Sequence, residues 1–68
     1  MLIITSDNFP QYYREHIQTV YRIALGIVRI PEEAEDIVAD CFTAMINKAK
    51  FNDDNHLKAW LIVSAEHK

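Results

Sequence analysis

The chain has 68 residues, seven Lys or Arg against ten Asp or Glu, and a formal net charge of −3, with half of its residues hydrophobic. A chain of about 60 residues buries only ~60% of its unfolded surface, so one domain with a small core is expected over residues 1–68. The composition excludes a disordered chain. The single Cys excludes a disulfide framework or zinc ribbon, and no apolar run is long enough for a signal peptide or a spanning helix, so the expected compartment is the reducing cytoplasm.

Three amphipathic segments follow in order, and together they predict an all-α, three-helix bundle. In the first, at about 8–29, Phe9, Tyr13, Ile17, Val20, Tyr21, Ala24, Leu25 and Val28 recur with a 3.6-residue period. Asp7 or Asn8 is the candidate cap, and Pro10 fits the first turn. The short apolar run Leu2-Ile3-Ile4-Thr5 ahead of it is too short and isolated to build a sheet.

Pro31 opens the second segment, at about 31–50, where Ala34, Ile37, Val38, Cys41, Phe42, Met45 and Ala49 form the inner stripe. Acidic residues fill its first turns and Lys48 and Lys50 its end, as the helix dipole favours. Phe51-Asn52-Asp53-Asp54-Asn55 reads as the one loop, with Asp54 or Asn55 capping a third helix at about 55–68. Leu57, Trp60, Leu61, Ser64 and Ala65 form that helix's inner face, whereas Ile62 and Val63 face away. Without a stop signal after Glu66-His67-Lys68, the last helix is expected to continue beyond the sequence.

No catalytic constellation can be assembled. Cys41 lies on an apolar stripe, where a buried thiol is the ordinary reading. His16, His56 and His67 sit on different segments with no His or Cys three or four residues away, and the lone Gly26 cannot form a phosphate loop. The chain therefore reads as a binding module, neither an enzyme nor a holder of a metal or cofactor.

Charge is unevenly placed. Pro31 to Asp40 hold five carboxylates (Glu32, Glu33, Glu35, Asp36, Asp40) and no cation. At 100° per residue Glu32, Asp36, Asp40, Thr43 and Asn47 cluster opposite the apolar stripe. A solvated face explains this plainly, but Asp36 and Asp40 stand four apart with no cation within reach along the helix, a mildly repulsive arrangement. A basic protein would relieve it; nucleic acid, which is bound mainly by Lys and Arg, would not.

Ala34-Glu35-Asp36-Ile37-Val38-Ala39-Asp40-Cys41-Phe42 resembles the core signature of the bacterial sigma-70 family of RNA polymerase sigma factors. It is most similar to region 2 of the extracytoplasmic-function class. Phe9 to Tyr13, Val20 to Leu25, Pro31-Glu32-Glu33 and Leu57-Lys58-Ala59-Trp60-Leu61 resemble the family in the same order, from about Phe9 to the end.

The resemblance implies a transcription initiation domain that binds the clamp helices of the polymerase largest subunit through Glu35, Asp36, Ala39, Asp40, Thr43 and Ile46. It implies recognition and melting of the promoter −10 element by the 51–56 loop and the third helix, through Phe51, Asn52, Asn55, His56, Lys58, Trp60, Ser64 and His67. Stacking and hydrogen bonding to an extruded base suit these residue types. An anti-sigma protein is a further partner class, and no membrane is involved. Read as residues alone, Trp60 is a core anchor, Ser64 faces inward, Lys58 is solvated, and Phe51 either caps the core or faces DNA. Departures from the family pattern are Ala39 for Gln, Asp40 for Glu, Ile30 where a capping residue precedes Pro31, and Val63 and Glu66 at positions often basic. The alternative is a helical interaction or dimerisation module that buries Ile62 and Val63; a third, enzymatic reading would need a metal.

Overall fold

A computed structural model of the chain describes residues 1–67. Three helices, α1 (Phe9–Val28), α2 (Pro31–Lys48) and α3 (Asp54–Glu66), make the all-α bundle that the periodicity predicts. Helix α1 packs on both α2 and α3. Its fully buried line is therefore His16, Val20 and Ala24, four residues apart, while Tyr13, Ile17 and Tyr21 lie half-buried beside it. From α2 come Ala34, Ile37, Val38, Cys41, Phe42 and Met45, and from α3 Leu57, Leu61 and Ala65. At one end Phe42 meets two α1 rings, Tyr13 at 4.8 Å between centroids and Phe9 edge-on at 6.4 Å. Offset and edge contacts of this kind add to the area the rings bury.

The starts of α1 and α3 depart from the sequence reading, and that of α2 does not. Asn8 occupies the N-cap position of α1 but makes no side-chain cap bond. Ile30 precedes α2 in extended conformation without a cap, as its apolar side chain requires. For α3 the cap is Asp53, one residue earlier than expected, and its Oδ1 accepts from the His56 amide at 2.8 Å. Three consecutive cap-competent residues made the start ambiguous; the bonds to His56 select Asp53. The expected reach of this helix to Lys68 lies outside the described residues.

The apolar start, too short and lone by pattern, does find a partner. Leu2–Ile3 (β1) pairs antiparallel with Lys50–Phe51 (β2), Leu2 opposite Phe51 and Ile3 opposite Lys50. Helix α2 thus stops at Lys48. Ala49 turns the chain at φ 63°, donating to the Met45 carbonyl at 2.9 Å and accepting from the Ile4 amide at 2.7 Å. The expected loop shrinks to Asn52 and Asp53, between β2 and α3.

Candidate functional site

Glu35, Asp36, Ala39, Asp40, Thr43 and Ile46 are all exposed along α2, as are Glu32, Glu33 and Asn47. The spacing i, i+1, i+4, i+5, i+8, i+11 keeps the first six on one stripe. No Lys or Arg lies within ion-pairing distance of the five α2 carboxylates among the described residues, where the one acidic contact within 4.0 Å joins Glu15 to His16. The negative face is neither buried nor neutralised by the chain's own arginines. Ile46, half exposed, ends the stripe with an apolar side chain.

An open groove of about 790 Å³ runs between α1 and α2 along this stripe. Tyr13, Ile17, Tyr21 and Val38 give it an apolar floor, and Arg22, Glu35 and Ala39 form part of its rim. The sequence reading assigned the tyrosines to the core alone. Their half-burial, from lying at the edge of the α1 stripe, opens them to this groove.

The second set surrounds Phe51. Phe51 is 2% exposed, so of its two expected places it takes the core: its pairing with Leu2 in the sheet turns it inward. Around it stand His56 at 5.5 Å and Trp60 at 5.3 Å, both edge-on, and the Lys48 ammonium 5.4 Å from the ring centroid. Phe51 is thus a platform beneath the residues that reach the surface. Asn52 and Asn55 are exposed, His56 and Trp60 half-buried. The Asn52 amide donates to His56 Nδ1 at 2.9 Å, which ties the bend to the first turn of α3.

Helical spacing divides the remaining candidates. His56 and Trp60 share one stripe of α3 with the exposed Val63, at i, i+4 and i+7, half-buried Ser64 lies at its edge, and exposed His67 follows as the C-cap. Lys58, two residues from Trp60, projects about 160° away and does not join them. Ile62 is half-buried and Val63 half exposed, so the second apolar side expected of α3 is only partly covered. Charge is partitioned between the two sets: residues 48–58 carry Lys48, Lys50 and Lys58 against Asp53 and Asp54, a balance of +1, whereas α2 up to Asn47 carries five carboxylates and no cation.

One neighbour of this region was not legible in the sequence. The Tyr12 phenol is held above its ordinary pKa by desolvation first, then by the carboxylates of Asp54 and Glu15. Asp54 acts on it across the contact between α1 and α3, a relation that no local pattern encodes.

No helix of the described chain is long and apolar enough to cross a membrane. No curated protein and no solved structure matches the chain. The family model of sigma-70 region 2, however, matches residues 12–68, which span the groove, the acidic stripe and the Phe51 platform. With that match over most of its length, the chain belongs to the sigma-70 region 2 family and has a sigma-factor role in transcription initiation.

Proposed function

We propose that the exposed acidic stripe of α2 docks the domain on the clamp helices of the polymerase largest subunit, and that Asn52, Asn55, His56 and the Trp60–His67 face of α3 recognise and open the −10 element. The row of unpaired carboxylates on α2, in a chain of this family, carries the reading. Charges left without intramolecular partners at the surface are available to a basic protein, and opposite potentials favour both encounter and register. The weak positive balance around Phe51 suits a DNA contact made only once polymerase supplies most of the phosphate affinity. The domain itself carries no catalysis; polymerase, in the cytoplasm, does the chemistry.

Asp36→Arg tests the docking surface. On α2 the new cation stands four residues from both Glu32 and Asp40, pairings worth about 0.2–0.5 kcal/mol each, so the helix is not weakened. Capture of core polymerase is expected to fall at least about tenfold with helix content unchanged. Undiminished capture of core enzyme by this variant would falsify the assigned surface.

A further inference from the structure

We propose that residues 2–4 form a brace that positions the recognition segment 51–56, a role that rests on the assignment of that segment to promoter DNA. The brace lies ahead of residues 12–68, which the family model matches. It is nevertheless tied to the first residue of the segment and to the two residues that lead into it: Leu2 pairs with Phe51, Ile3 pairs with Lys50, and the Ile4 amide donates to the Ala49 carbonyl at 2.7 Å. Ile4 itself is buried in the core at 7% exposure.

The conformation of Ala49 shows why such a tie matters. An L-residue with φ 63° and ψ −31° lies outside the comfortable backbone regions. Such a residue persists only when its surroundings over-determine it. Its N–H is held by the last turn of α2, and its carbonyl by the brace. Released from Ile4, Ala49 keeps only its helical bond and can relax toward helix or extended chain, and Phe51 moves with it. His56 and Trp60 rest on that ring, so their positions follow.

The brace has its own anchor. Asn8 stands at the N-cap position of α1 yet leaves the helix amides alone. Its Oδ1 accepts from the Thr5 amide at 2.8 Å, its Nδ2 donates to the Ile3 carbonyl at 2.8 Å, and its own amide donates to Thr5 Oγ1 at 3.3 Å. A side chain suited to capping is turned back onto the strand. Asn8 and Ile4 act through Phe51 and are therefore positioning residues.

The test uses the full protein reconstituted with core polymerase on a promoter that the wild type opens. Asn8→Ala removes the anchor without touching the core, and Ile4→Pro removes the amide donor. Expected for both are promoter opening reduced about tenfold, faster hydrogen exchange at the Asn52 amide, and core capture within about twofold of wild type. If Ile4→Pro loses helix content, Asn8→Ala alone decides. Unchanged opening by Asn8→Ala, or opening and core capture that fall together, overturns the brace. Undiminished opening by a variant that carries both Asn52→Ala and Asn55→Ala overturns instead the assignment of segment 51–56, and the brace with it.

Discussion

The Asn52 amide donates to Nδ1 of His56 across the two-residue bend that precedes α3. In return, Asp53 accepts from the His56 amide, so one residue serves both ends of a reciprocal cap. With Nδ1 accepting, the neutral ring carries its proton on Nε2, and that nitrogen is the one left to face a ligand.

This geometry separates two substitutions at His56. His56→Gln retains a side-chain acceptor in the third helical position, where Glu and Gln ordinarily close a capping box. His56→Phe retains the edge contact with Phe51 but leaves the Asn52 amide without its acceptor. The Phe variant is expected to lose about 1 kcal/mol in urea unfolding, the worth of an ordinary hydrogen bond, and the Gln variant less. Equal stability of the two variants would show that the bond to Asn52 contributes nothing.

Backbone relief at the end of α1 gives an independent test of the fold. Arg29 adopts φ 59° at a position where helices favour glycine, and Gly26, three residues earlier, has open space where a Cβ would stand. Exchanging the two preferences, Arg29→Gly and Gly26→Ala, is expected to stabilise by up to about 1 kcal/mol each. Thermal midpoints should rise by about 4–8 °C per kcal/mol in a domain of this size. A fall in midpoint for Gly26→Ala would mean that this face of α1 is covered.

The bundle was legible because each helix carries a strong 3.6-residue pattern, and Pro31 and the Asn/Asp cluster divide the chain where the structure does. The acidic stripe was legible for the same reason: spacing alone clusters Glu32, Asp36, Asp40, Thr43 and Asn47, and the family resemblance adds Glu35 from the flank. What pattern could not show is long-range pairing. Leu2 and Phe51 are 49 positions apart, and four apolar residues at the start of the chain give no hint of a partner. That pairing turns Phe51 into the core and shortens the loop, so one missed contact accounts for both. His16 escaped for another reason. Contact with two helices widened the buried arc of α1 beyond the apolar stripe and took a polar ring inside.

That buried ring is itself a testable liability. His16 is 5% exposed, its Nε2 is buried with no hydrogen-bond partner, and the Glu15 carboxylate is 4.0 Å away. A buried donor or acceptor without a partner is disfavoured by about 1–3 kcal/mol, whereas an apolar side chain of similar size has nothing to satisfy. His16→Leu is therefore expected to raise unfolding stability at neutral pH by about 1 kcal/mol, read from urea denaturation. A destabilised variant would show that the imidazole is satisfied in solution.

Tyr12 connects the start of α1 to residues 51–56 electrostatically. Desolvation raises its phenol pKa most, and Asp54 and then Glu15 add to it, since each disfavours the phenolate. With a folded-state value above the unfolded one of about 10, the native state holds this proton more tightly. The associated stability is complete below about pH 10 and is lost as pH rises through the folded-state value. Tyr12→Phe should remove that alkaline component from the stability profile. Asp54→Asn should lower the phenolate midpoint in an absorbance titration without bringing it fully to the ordinary value, because desolvation, the larger cause, remains. A midpoint unmoved by Asp54→Asn would mean that the Asp54 carboxylate does not reach the Tyr12 phenol in solution.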